Sequence, residues 1–160
     1  MDRNLLPGRR YGKLHVHADA TDDLVAVCDC GKGVWSLPTA IYQGEQISCG
    51  CAKGKERSLL YAVLVDGFIK IGYTTNFRYR LVALTSGSPC DVILLCLLTH
   101  ASPEKEKRIH KLLRDFRTHL EWFEADDLLL DTIMSADDTD DLIVKIGEMH
   151  NKILDDLIGE

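Results

Sequence analysis

Residues 59–84 read LLYAVLVDGFIKIGYTTNFRYRLVAL, and the fold turns on them. The apolar run Leu59-Leu60-Tyr61-Ala62-Val63-Leu64-Val65 is followed by Asp66-Gly67. That dipeptide suits a two-residue hairpin turn, because both central positions need positive φ. The second run, Phe68-Ile69-Lys70-Ile71-Gly72, then returns antiparallel to the first. Thr74, Thr75 and Asn76 offer an N-cap to a helix carrying Phe77, Arg78, Arg80, Leu81 and Leu84.

Three residues of this hairpin and helix stand out. Lys70 is a charge inside an apolar strand, Tyr61 lies on the partner strand, and Arg80 sits about one turn past the cap. A phenol, an ammonium and a guanidinium on adjoining elements can handle a phosphate. The same spacing also fits a core tyrosine, a snorkelling lysine and a solvated arginine, so spacing alone leaves both readings open.

The order of the residues resembles the GIY-YIG endonuclease superfamily. Leu59-Leu60-Tyr61 stands at the first tripeptide with only its tyrosine kept, and Lys70-Ile71-Gly72 at the second with lysine replacing tyrosine, as in some restriction-type members. Thr75-Asn76-Phe77-Arg78-Tyr79-Arg80-Leu81 resembles the segment bearing the superfamily's catalytic arginine.

Outward from this stretch, the 160-residue chain has room for one ordinary domain or two small ones. A hydrophobic content of 46% can build a core. No apolar run reaches the ~18 residues of a membrane span, and residues 1–7 have no signal-peptide apolar region. A cytoplasmic protein with no membrane partner is expected, its six cysteines being thiols or metal ligands rather than disulfides.

Residues 124–160 hold twelve acidic residues against two lysines, a net −10, whereas residues 1–123 carry 17 basic and 13 acidic residues, a net +4. A mildly basic body with an acidic tail fits a DNA binder with a self-masking end, or a body carrying a solubilising or dimerising helix.

Residues 1–57 form the first expected unit, a β-rich module and linker. Cys28-Asp29-Cys30 and Cys49-Gly50-Cys51 are separated by 18 residues. Two such pairs read as four thiolates around a structural zinc, Cys28, Cys30, Cys49 and Cys51, with buried free thiols as the alternative. A module this small needs the metal to fold. Residues 8–52 resemble a zinc-ribbon-type module found beside nuclease domains in phage-type proteins, which implies structural zinc and DNA contact. Arg9, Arg10, Lys13, Lys53, Lys55 and Arg57, with Arg78 farther on, are the candidate DNA-binding cations, giving salt-sensitive and largely nonspecific affinity.

Residues 58–134 form the second expected unit. Asp91 to Thr99, DVILLCLLT, reads as a buried third strand. Ser102-Pro103-Glu104 starts a helix that presents Glu106, Ile109, His110 and Leu113 on neighbouring rows. The expected fold is α+β: a small three-stranded antiparallel sheet flanked by helices, with the zinc-bound module before it and an amphipathic helix after it. That last helix, within residues 135–160, repeats Leu142, Ile146, Met149, Ile153 and Leu157 at helical spacing. It packs its stripe on the second unit or on its copy in a homodimer.

Glu106-x-x-Ile109-His110, Arg117 and Glu121-Trp122-Phe123 resemble the closing half of a phage-and-fungal branch of the superfamily, so the resemblance covers residues 59–123. This chain has Leu120 where that branch usually has glycine, Leu113 where it has phenylalanine, and no clear counterpart of an asparagine after the helix. The resemblance implies a hydrolase that cuts DNA phosphodiesters with Mg²⁺ or Mn²⁺. Glu106, with Glu121 as the second candidate carboxylate, would bind the metal, Tyr61 position or deprotonate the water with Lys70 lowering its pKa, and Arg80 contact the phosphate. Tyr73 would orient the water and His110 assist. As residues, Glu106 also fits an i,i+4 partner of His110, and Glu121 a partner of Lys111 or Arg117. A non-catalytic nuclease-like module that binds DNA or a protein, such as a phage-type inhibitor, is the alternative function. A DNA-binding protein relying on zinc alone leaves Tyr61, Lys70, Arg80 and Glu106 unexplained as a set.

Overall fold

The computed structural model describes residues 8–16, 26–35, 38–51 and 57–159. The hairpin at its centre joins β5 (Leu59–Val65) to β6 (Phe68–Thr74). Asp66 and Gly67 both take positive φ, 49° and 80°, as a two-residue turn requires. That turn sets the register: Val63 opposes Lys70 and Tyr61 opposes Gly72. The apolar run after it forms β7 (Ile93–Leu98), antiparallel to β5 on the side away from β6.

The helices start where their caps stand. In α2 (Phe77–Ser86) the Asn76 side chain accepts the Tyr79 amide, and in α3 (Pro103–Leu112) Ser102 accepts that of Lys105. A 3₁₀ turn at Arg114–Phe116 ends this segment. Two further helices follow, α4 (Asp127–Ser135) and α5 (Thr139–Ile158).

The expected three-stranded sheet is the middle of a larger one. Among the described residues the sheet has nine strands, antiparallel except at one junction. Before the hairpin come β1 (Arg10–Tyr11), β2 (Leu14–Val16), β3 (Ala26–Cys28), β4 (Gly33–Val34) and the short helix α1 (Pro38–Tyr42). After α3 come β8 (Arg117–His119) and β9 (Trp122–Glu124). The order is β4-β3-β2-β1-β7-β5-β6-β9-β8, with β1 parallel to β7. The physical reason is edge satisfaction: β7 and β6 would otherwise present unpaired amides and carbonyls, and short segments cover both.

Each sheet face carries its own core. Tyr61, Val63, Leu94 and Leu97 pack with Phe77 and Leu81 of α2, Ile41 of α1 and Tyr11 of β1. On the other face Leu60, Ala62, Ile69, Ile71 and Leu95 pack with Ile109 of α3, Leu129 and Ile133 of α4, and Leu142, Ile146 and Met149 of α5. The α5 stripe is therefore buried within this chain up to Met149. No helix of the described residues is long and apolar enough to cross a membrane.

Candidate functional site

Register places the key side chains. Tyr61 and Lys70 share a face because each opposes a residue two apart on the partner strand, Gly72 and Val63. The Tyr61 ring lies across the adjacent strand directly over Gly72, where a Cβ would sit 2.3 Å from the phenol oxygen. The second motif's glycine is thus room for the first motif's tyrosine. Phe77 backs the ring, centroids 5.8 Å apart, and Tyr61 is 2% exposed.

On β6, strand β9 covers only Phe68, Ile69 and Lys70, so the outer edge of β6 beyond Lys70 needs other partners. Helix α3 supplies them one turn apart. His110 Nε2 donates to the Ile71 carbonyl at 2.8 Å, which fixes the ring proton on that nitrogen, and the Tyr73 amide donates to Glu106 Oε2. The His110 ring also packs on Phe123, centroids 5.4 Å apart. Tyr73 shares a 3.1 Å hydrogen bond with Ser58.

The β8–β9 turn brings in Glu121, the second candidate for the catalytic carboxylate. Leu120, with φ of 49°, makes the turn. Lys70 opposes Trp122 in register, which carries Glu121 to Lys70 with 3.4 Å between Nζ and Oε2. The Lys70 ammonium also lies 5.6 Å from the Trp122 ring centroid. The only sequence signal was Glu121's place in Glu121-Trp122-Phe123, and its partner is Lys70, not Lys111 or Arg117.

The electrostatics around Tyr61 show which charges converge. Burial pushes the phenol up to about 12; Arg80 pulls it down, while Glu121 and Glu106 push it up. Side chains from α2, the β8–β9 turn and α3 thus act on one phenol. The expected lowering by Lys70 is corrected: the phenol is raised, the opposing cation is Arg80, and the Lys70 charge is held by Glu121.

Cys28, Cys30, Cys49 and Cys51 converge as well, with all four Sγ within 4.8 Å of one another. Cys28 and Cys51 are 3.7 Å apart, Cys30 and Cys49 3.3 Å. Tetrahedral Zn–S bonds of about 2.3 Å place sulfurs about 3.8 Å apart, so the donor set can hold a metal such as zinc. Positive φ at Gly31 (93°) and Gly50 (110°) folds each pair back. Close sulfurs share protons unevenly: Cys30 pulls the Cys49 thiol down to about 7, and Cys28 pushes that of Cys51 up to about 12.

The candidate DNA-binding cations do not form one patch. Arg10 bridges Asp29 at 2.8 Å and Asp137 at 3.3 Å, with 11% of its side chain exposed. Arg9 Nη1 is buried without a hydrogen-bond partner among the described residues, and Lys13 is half-buried. Arg57 and Arg78 line one cleft, where Arg78 meets Glu45 at 2.6 Å. Lys53 and Lys55 lie outside the described residues.

Compared with known proteins, residues 57–147 match the T5orf172 domain, a phage-associated, nuclease-related domain. The match runs from two residues before β5 into α5 and leaves Cys28, Cys30, Cys49 and Cys51 outside it. No curated protein and no solved structure matches the chain.

Proposed function

The chain belongs to the T5orf172 domain family, and from that premise we propose that it is a metal-dependent DNA endonuclease of the GIY-YIG type. One observation carries the reading. Tyr61 lies over Gly72 of β6, and the same strand carries Lys70 paired with Glu121 and the Tyr73 amide bonded to Glu106, so the first motif's phenol and both carboxylates gather along one strand. The charges of Arg80, Glu121 and Glu106 all bear on that phenol.

Hydrolysis forms a bond from water oxygen to phosphorus and breaks the bond to the 3′ oxygen, with negative charge growing on the phosphoryl and leaving oxygens. Glu106 is a hard oxygen donor, suited to Mg²⁺ or Mn²⁺ as a single carboxylate sharing the ion with substrate and water. Such an ion, when bound, would supply Lewis-acid stabilisation of the negative charge that develops at the phosphate. Arg80 makes charge-assisted contacts to the phosphate. The Tyr61 oxygen holds the attacking water, and its ionised form accepts the water proton. Lys70, fixed between Glu121 and Trp122, adds positive charge beside the phosphate path. His110 and Tyr73 hold the edge of β6 in place. The four cysteines hold a structural zinc, which orders the strands β1–β4 beside the nuclease-like unit.

Nicking of supercoiled plasmid with Mg²⁺ tests this. Arg80→Ala and Glu106→Gln should each slow cleavage about 10²- to 10³-fold, because each acts on charge that develops in the transition state. Their melting temperatures should stay close to wild type. Variants that nick as fast as the parent would end the proposal.

A second reading is a nuclease-like module that binds DNA without cutting it. The bond from the Tyr73 amide to Glu106 favours it, since the same carboxylate serves the sheet edge. Binding of a labelled duplex with no cleavage under any divalent cation would select this reading.

A further inference from the structure

Helix α2 is apolar on two sides. Phe77 and Leu81 face the core, yet Tyr79 and Val82, neighbours one turn apart, are 74% and 59% exposed. A surface helix with no outer partner ordinarily presents polar residues there. Arg78 and Arg80 flank Tyr79, so the outer face interleaves an aromatic ring with two guanidinium groups.

A cleft of about 600 Å³ opens beside the first turn of this helix. One wall is residues 44–50, which carry Cys49 of the thiol cluster; the other is Arg57, Leu59 and residues 75–78. Gln46, Ser48, Thr75 and Asn76 give it polar lining. At the start of α2 the Tyr79 amide donates to the Asn76 side chain and the Asn76 amide to Thr74. The positive charge offered to an anion comes from the two arginines. Arg57 is exposed and makes no ion pair among the described residues. Arg78 bridges Glu45, the one acid in the lining, through a pair 66% and 43% exposed. Such surface pairs contribute about 0–1 kcal/mol, so a phosphate can replace the carboxylate.

We propose that the cleft and the outer face of α2 form a nucleic-acid track, taking the strand on one side of the scissile phosphate. A backbone phosphate sits at Arg57 and Arg78, and a sugar or base packs on Tyr79. Two features select a nucleic-acid strand as occupant. The cations outnumber the acid, and the helix that forms one wall of the cleft carries, two residues past Arg78, Arg80, whose charge bears on Tyr61. The track also gives the cysteine cluster a role in substrate placement, because its ligand Cys49 lines one wall. The proposal rests on the nuclease reading for its ligand class, but not on cleavage.

The test is fluorescence polarisation with fluorescein-labelled single-stranded and duplex 20-mers, using the full chain with Ca²⁺ in place of Mg²⁺. Tyr79→Ala should weaken binding about five- to a hundredfold, the range for loss of a stacking aromatic, and Tyr79→Phe should restore it. Arg57→Ala should flatten the slope of log affinity against log salt by about 0.7–0.9, one phosphate contact. Both residues are exposed, so melting temperature and zinc content should not change. If wild type binds and both alanine variants match it in affinity and slope, the track is wrong and the nuclease reading stands. If wild type binds neither oligonucleotide, both fall together.

Discussion

Replacing Gly72 with alanine tests the geometry around Tyr61 with a single methyl group. The new Cβ would lie 2.3 Å from the phenol oxygen, 2.4 Å from Cζ and 2.8 Å from Cε1. Ordinary contact begins near 3.4 Å, so the ring must retreat by about 1 Å. Tyr61 is 2% exposed with Phe77 behind it, so the shift displaces packed neighbours. Overpacking of this kind costs about 1–3 kcal/mol, or about 2–4 °C of melting temperature per kcal/mol for a chain of this size. A ~1 Å error at a reacting group costs on the order of 10²-fold in rate. Gly147→Ala is the control. It makes the same chemical change in α5 where no atom lies within 4 Å, and should stabilise by about 0.5–1 kcal/mol. Urea unfolding and plasmid nicking read the two effects separately. Gly72→Ala protein that melts and nicks like wild type would show that Tyr61 does not lie over this strand.

Three further outcomes follow from the structure. A chelator strong enough to strip zinc should release one equivalent of metal and unfold β1–β4, since structural zinc contributes roughly 10–16 kcal/mol; elemental analysis with hydrogen exchange at Tyr11, Leu14 and Ala26 reads it, and undisturbed exchange refutes it. The Tyr61 phenol is raised to about 12 from 10.0, so the folded protein keeps this proton longer than the unfolded chain: its contribution to stability is full below pH 10 and lost as pH rises through about 12. Glu121→Gln should lower the pH of this ionisation and Arg80→Ala should raise it, followed by NMR of the tyrosine ring carbon, and a common direction would refute the charge assignment. Deleting residues 135–160 should destabilise the protein rather than release a masked enzyme, because Leu142, Ile146 and Met149 are buried and α5 packs on α3 and α4; at about 1.5–3 kcal/mol each, their loss approaches the whole stability of a small domain, and a truncated protein that melts like the parent would overturn this.

What could be read without coordinates was what local chemistry determines. Asp66-Gly67 permits one kind of turn, Asn76 and Ser102 can each cap a helix, and the stripe from Leu142 to Met149 has one helical period. The outer strands were not legible because β1, β4, β8 and β9 have only two or three residues each, too few for alternation to show. The parallel pairing of Tyr11 with Leu97 joins segments far apart in the chain, and no local signal encodes it. The pairing of Lys70 with Glu121 has the same origin. It depends on the register of β6 against β9, which places Lys70 opposite Trp122. From residue types alone, Lys111 and Arg117 were the nearer partners for Glu121.

The correction to the phenol has a consequence for how the site can act. An ammonium beside Tyr61 would lower its pKa and leave a ready base; instead burial dominates and two carboxylates add to it, leaving the phenol protonated at neutral pH. Of the two carboxylates that oppose its ionisation, Glu121 is already paired with Lys70, and Glu106 can be neutralised by a divalent ion from solution. That neutralisation favours phenolate, and Arg80 already pulls that way. The free protein therefore holds a protonated phenol whose ionised form becomes more accessible when a cation neutralises Glu106. A pH–rate profile for nicking in Mg²⁺ should accordingly shift to lower pH in Glu121→Gln protein, which loses one of the two carboxylate charges that oppose ionisation of the phenol. A profile identical to that of the parent would remove the phenol from the proton-transfer step.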